Sequence, residues 1–218
     1  VGSEMCIRDR SYSLALIAGM SVLTACSSDD NNDNGGNGNN GNGNEIENGT
    51  TLKGTITSDV TLTAGSTYKL SGEYIVEDGA TLNIEAGVKI ISIYDDIVDY
   101  ILVKQGGKIN AVGTSSAPIV MTSEKEEPGA WGGIHICGKA HTNAEGGKGS
   151  SEIGGATYGG NDDADNSGTL KYVRVEYSGY AFDSEHEANG ITFYGVGNGT
   201  TVEYCQAYKG SDDGFEFF

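Results

Sequence analysis

From Thr50 onward, apolar and polar residues alternate in short runs, and the runs repeat. Val60-Thr-Leu-Thr-Ala-Gly65 recurs as Ala80-Thr-Leu-Asn-Ile-Glu-Ala-Gly87 and again as Gly107-Lys-Ile-Asn-Ala-Val-Gly113, with starts 20 and 27 residues apart. Each reads as a short strand with one apolar face, closed by a glycine turn. A second repeat is sharper. Leu170-Lys-Tyr-Val-Arg-Val-Glu-Tyr-Ser-Gly179 matches Val202-Glu-Tyr-Cys-Gln-Ala-Tyr-Lys-Gly210 with one residue fewer, and Asn189-Gly-Ile-Thr-Phe-Tyr194 matches Asp213-Gly-Phe-Glu-Phe-Phe218 24 residues later. The order is therefore strand A, strand B, strand A′, strand B′, with a longer loop between A and B at Ala181–Ala188.

Short strands at this period are the signature of a solenoid. With no helical periodicity to supply a crossover, parallel stacking predicts an all-β chain coiled as a parallel β-helix, its turns ~4.8 Å apart. Alternation assigns Val173, Val175, Cys205, Ala207, Ile191, Phe193, Phe215 and Phe217 inward, and Thr192 and Glu216 outward. The rival architecture is an antiparallel β-sandwich, which requires hairpin turns between neighbouring repeats.

The N-terminal quarter follows a different pattern. A short apolar run from Leu14 to Leu23 follows Arg8 and Arg10 and ends in Leu23-Thr-Ala-Cys26. A basic flank, an apolar core and small residues before a cut make a secretory signal, and the run is too short to span a bilayer. Leu-Thr-Ala-Cys resembles the bacterial lipobox, which implies that Cys26 is acylated and becomes the first mature residue. At roughly 0.8 kcal/mol per buried methylene, several acyl chains hold a protein on a bilayer durably. The Ser27-Ser-Asp-Asp30 that follows resembles the export signal of surface lipoproteins in Bacteroidota, implying the outer membrane and its outward face.

The stretch 31–49 is almost wholly Asn, Gly and acidic residues. It cannot bury a core and predicts a flexible tether with a reach of ~25 Å. Residues 1–10, Cys6 included, resemble a translated sequencing-adapter artefact. The expected organisation is thus artefact 1–10, signal peptide 11–25, lipidated Cys and tether 26–49, and β-helix 50–218, the last incomplete because the chain stops at Phe218 inside an apolar run.

Composition narrows the partners. The chain has 35 Gly, 2 Pro and a formal charge of −18. So acidic a surface disfavours nucleic acid and anionic lipid headgroups and is compatible with cations such as Ca²⁺, with neutral sugars, or with nothing beyond solubility. Cys137 and Cys205 could pair in an oxidising compartment, but the inward position of Cys205 suits a small buried apolar residue instead.

Trp131-Gly-Gly-Ile-His-Ile-Cys-Gly138, Gly168 to Gly179, Gly199-Thr-Thr-Val-Glu-Tyr204 and Asp212-Asp-Gly-Phe-Glu-Phe-Phe218 together resemble a family of Bacteroidota surface lipoproteins. The resemblance implies a right-handed parallel β-helix of the pectate-lyase-like type, and no particular reaction.

Three acidic groups carry candidate chemistry. In Gly160-Asn-Asp-Asp-Ala-Asp-Asn-Ser-Gly168, the alternating oxygens of Asn161, Asp163, Asp165 and Ser167 could wrap Ca²⁺, though no bidentate Glu follows; a solvated turn explains the same residues. Asp212, Asp213 and Glu216 are similar to the paired carboxylates of β-helix polygalacturonases, although Asp213 aligns with Asn189 as an Asx-Gly turn. The inserted loop offers Asp183, Glu185 and His186 as ligand-binding candidates. Tyr172, Tyr177, Tyr204 and Tyr208 could stack on sugar rings or on one another, and Trp131 is expected in the core. Two classes of function stay open: a surface module that binds a glycan or a partner protein, and a polysaccharide lyase or glycoside hydrolase.

Overall fold

The computed structural model describes residues 44–183 and 186–218. The lipidation candidate Cys26, the signal peptide, most of the tether and Glu185 lie outside the described residues. The first strand begins inside the stretch read as tether. Ile46 and Ile56 pack against the core and draw the start of the solenoid back to Asn44.

In chain order the strands are β1 (Asn44–Ile46), β2 (Thr51–Ile56), β3 (Val60–Leu62), β4 (Thr67–Val76), β5 (Thr81–Ile84), β6 (Lys89–Ser92), β7 (Tyr100–Val103), β8 (Lys108–Val112), β9 (Ile119–Ser123) and β10 (Ile134–Cys137). They continue as β11 (Gly149–Ser150), β12 (Thr157–Tyr158), β13 (Gly168–Lys171), β14 (Val173–Glu176), β15 (Ile191–Tyr194), β16 (Thr201–Glu203), β17 (Gln206–Tyr208) and β18 (Phe215–Phe217). Every pairing among them is parallel except the small β11–β12 hairpin. This is a parallel β-helix, and the sandwich alternative falls with the parallel register.

Three faces run along the solenoid. Face 1 is β1-β3-β5-β8-β13-β16. Face 2 stacks the first half of β4 with β6, β9, β14 and β17, and face 3 stacks the second half of β4 with β7, β10, β15 and β18. β4 crosses from face 2 to face 3 without interruption. In later coils that corner opens into loops at 93–99, 124–133, 177–190 and 209–214.

The core is built of like residues stacked coil on coil. Leu62, Ile84, Ala111 and Leu170 form one column of face 1, and Tyr68, Ile90, Met121 and Val175 one of face 2. Tyr74, Ile101, Ile134, Ile191 and Phe215 align on face 3, as do Val76, Val103, Ile136, Phe193 and Phe217. The inward assignments of Phe215 and Phe217 hold in register, yet these rings are 37% and 71% exposed because no further strand lies over β18 among the described residues. Cys205 is half-buried against the core and Ala207 is half-buried in β17. Trp131 is buried, and its indole N–H donates to the Glu176 carbonyl at 2.7 Å. Cys137 and Cys205 are both free thiols, and burial pushes the Cys137 thiol up to about 12.

Thr192 departs from expectation. It points outward from face 3 but is fully buried. Residues 138–167, between β10 and β13, fold back as a strap over the outside of face 3. Its hairpin packs Ile153, Ala156 and Tyr158 on Ile75, Tyr100, Leu102, Cys137 and Tyr194 as a second apolar cluster. The Gln105 amide ties the strap down at two points, donating to the carbonyls of Gly138 at 2.7 Å and Gly159 at 2.8 Å.

Candidate functional site

The outer column of face 3 reads Ile75, Leu102, His135, Thr192, Glu216 from one coil to the next. It begins apolar, turns polar under the strap, and ends in a carboxylate. His135 is wholly buried between the Tyr100 and Tyr194 rings, each 6.2 Å away by centroid. Its Nε2 donates to the Gly132 carbonyl at 2.7 Å, which fixes the tautomer and leaves Nδ1 as an acceptor. Burial drives the imidazole down to about 4, so it is neutral at physiological pH. His135 Nδ1 and Thr192 Oγ1 are both buried without a protein partner.

Glu216 closes the column, and Asn189 Nδ2 donates to its Oε2 at 2.5 Å. The strap delivers Glu152, whose Oε2 accepts from the Tyr194 hydroxyl at 3.4 Å. The corner loop of the same coil delivers Asp212 and Asp213. Partial burial, reinforced by the negative charges of Glu152, Asp213 and Asp212, pushes the Glu216 carboxyl up to about 7. Glu152 is raised as well, by burial first; the Tyr194 hydroxyl and His186 oppose the shift and Asp212 adds to it. A carboxyl held near neutrality beside others can donate or accept a proton at physiological pH. It can also hold an ammonium or the hydroxyls of a sugar.

The sequence candidates therefore separate. Asp212 and Asp213 lie close enough to Glu216 to act on its carboxyl, while Asp213 also keeps the turn role that its alignment with Asn189 gave it, its carbonyl accepting from the Gly190 N–H. Of the inserted loop, Asp183 binds His186, whose ring Nδ1 lies 2.9 Å from both carboxylate oxygens, and His186 acts electrostatically on Glu152. Glu152 itself went unread. Nothing in Ser151-Glu-Ile153 marks it, because its role depends on the strap folding back.

Two carboxylates of the loop proposed for Ca²⁺ are already engaged by the protein. Asp163 Oδ1 accepts from the His141 N–H at 3.1 Å, while Asp165 Oδ2 accepts from the Ser167 hydroxyl at 2.9 Å and the Gly197 N–H at 3.4 Å. Asn161 stands exposed. Among the described residues no group of three or more His, Cys, Asp or Glu is arranged to hold a metal ion. Asn161, Asp163, Asp165 and Ser167 form a coil-to-coil turn.

The tyrosines are engaged with their own chain. Tyr172 and Tyr204 stack face to face at 4.6 Å from adjacent coils, and Tyr177 meets Tyr208 edge-on at 6.3 Å. Arg174 covers the Tyr208 ring at 4.4 Å, and Lys171 lies over Tyr204 at 5.7 Å while pairing with Glu203. In the stacked pair, Tyr172 and Tyr204 each spend one ring face on the other.

A three-faced parallel solenoid with a strap folded over one outer face defines a parallel β-helix domain. The chain belongs to the pectate-lyase like beta helix domain family, whose model matches residues 54–218. No curated protein and no solved structure gives a significant match.

Proposed function

We propose that this chain is a lipoprotein of the outer membrane, held by acylated Cys26 and facing the cell exterior, whose β-helix binds a neutral or amine-bearing glycan, or a partner protein, at the end of face 3. The observation that carries this reading is the convergence of Glu152, Asp212, Asp213 and Glu216 from three separate segments onto one outer face. The formal charge of −18 repels polyanionic chains, so uronate polymers are poor ligands.

One observation favours a second reading. Glu216, held near neutrality beside other carboxyls, has the character of the general acid of a glycoside hydrolase. A glycan array run beside a reducing-end and unsaturated-product assay separates the two. The binding reading expects retention of a neutral or amino glycan, weakened about tenfold in Glu216→Gln by loss of a charged partner, and no product. Product that disappears in Asp212→Ala establishes hydrolysis or elimination and rejects a purely adhesive role. Labelling with a radioactive fatty acid that persists in Cys26→Ala rejects the anchor.

A further inference from the structure

A second feature lies away from the carboxylate column, where the corner between faces 2 and 3 carries long loops on successive coils. Loop 93–99 from one coil, loop 124–133 from the next and Tyr180 from the coil after that enclose a cleft of about 270 Å³. Ile93, Ile97, Val98 and Ala130 form its apolar lining, and Tyr94 and Tyr180 contribute rings. Tyr94 is 66% exposed and Ile97 59% exposed, and Phe182 sets its ring edge-on to Tyr180 at 5.0 Å. Large apolar groups gathered at a rim mark an interaction surface.

The charge around the cleft is one-sided. Asp95 and Asp96 line it, Glu126 and Glu127 lie on the adjoining loop, and Asp99 sits buried at the foot of loop 93–99. The chain already places a cation there. Lys125 Nζ lies 4.8 Å from the centre of the Tyr94 ring and 3.2 Å from Glu127 Oε2. That is an ammonium held between an aromatic face and a carboxylate, the arrangement by which proteins recognise organic cations.

We propose that this cleft receives an arginine or lysine side chain from a partner protein, with the partner's neighbouring apolar residues resting on Ile97 and Phe182. The incoming cation displaces Lys125 from Tyr94 and pairs with Asp96. A sugar suits the site less well, because its hydroxyls would meet the apolar groups of Ile93, Ile97, Val98 and Ala130.

The test is calorimetric titration of the full chain with a soluble hexapeptide of alternating arginine and leucine. Controls are the glutamate–leucine counterpart and chitotetraose. Tyr94→Ala and Asp96→Asn are each expected to weaken the arginine peptide about tenfold, the scale of one cation–π or charged hydrogen-bond partner. Lys125→Met, which vacates the ring, is expected to tighten it. Glu45→Gln, a charge removed from exposed β1, is expected to change it less than about twofold. All the altered side chains except Lys125 are exposed and none belongs to the core, so folding is checked by circular dichroism alongside. Equal weakening by Glu45→Gln would reduce the effect to diffuse charge, and unaltered affinity in Tyr94→Ala and Asp96→Asn would remove the site. Tighter binding of chitotetraose, lost in Tyr94→Ala, would make it an amino-sugar site and overturn the proposal. The glycan result at Glu216 is independent of all of these.

Discussion

Gly168→Ala is expected to destabilise the solenoid by at least about 3 kcal/mol, from left-handed backbone strain combined with forced displacement of the neighbouring strand. Gly168 opens β13 and lies directly against Ile109 of the preceding coil. Its φ is +121°, and a Cβ there would stand 2.0 Å from the Ile109 carbonyl oxygen and 2.7 Å from its carbon. Those atoms are backbone and belong to the ladder, so the only relief is to push coils apart where Ile109 N–H donates to the Ser167 carbonyl. Gly79 is the internal comparison. It also has positive φ, +82°, but a Cβ meets nothing within 4 Å, so Gly79→Ala carries only the dihedral cost of about 1–2 kcal/mol. Urea unfolding of both variants reads the difference. Equal costs would mean that the close approach of β8 and β13 is absent.

The second large effect concerns a buried acid. Asp99 is 1% exposed; the Gly72 N–H donates to its Oδ1 at 2.5 Å, while Oδ2 is buried without a partner. Burial pushes its carboxyl from 3.8 up to about 6, with Gly72 opposing. A folded pKa above the unfolded one means that the folded state holds its proton more tightly. Between about pH 4 and 6, stability therefore falls as pH rises, and above that window the buried charge costs up to about 3 kcal/mol at 1.36 kcal/mol per unit.

Asp99→Asn keeps an oxygen for Gly72 and has no charge to bury, so its gain over the native chain should be present at pH 8 and fade below pH 4. The comparison is needed because other groups titrate in the same range. His135, lowered to about 4, loses stability as pH falls from about 6.5. Glu216, raised to about 7, gains it as pH falls. Thermal melts of the two proteins across pH 4–8 isolate Asp99; a gain that does not depend on pH would contradict the assignment.

How far the sequence carries these conclusions depends on how local each cause is. The coils were legible because each repeat writes its own alternation. Leu170–Gly179 and Val202–Gly210 align, and their strands β14 and β17 pair in the register that the alignment implies, Val175 on Ala207. Glu216 was legible for the same reason, standing one coil beyond Thr192.

The strap was not, because it is an insertion that obeys no repeat and is held by contacts far away in sequence. A trace of it was nonetheless written in face 3. Tyr74-Ile-Val76, Tyr100-Ile-Leu-Val103 and Ile134-His-Ile-Cys137 are unbroken apolar or near-apolar runs, the pattern of strands buried on both sides. Read so, they require something to cover Ile75, Leu102 and Cys137, and the insertion 138–167 beside them carries Ile153 and Tyr158. The tyrosines left two readings open, stacking on sugar rings or on one another, and the second holds for Tyr172 with Tyr204 and for Tyr177 with Tyr208. Their spacing of 32 residues between Tyr172 and Tyr204 places them one coil apart, where rings satisfy each other before any ligand arrives.

The candidate site depends on the strap bringing Glu152 to Glu216. Titration of the Glu216 side-chain carbonyl carbon by NMR, in the native chain and in Glu152→Gln, measures that directly. The geometry predicts a midpoint near 7 in the native chain and a clear fall in the variant as one negative neighbour is removed. An ordinary glutamate midpoint of about 4.3, the same in both proteins, would mean that the carboxylates do not meet and that no such site exists.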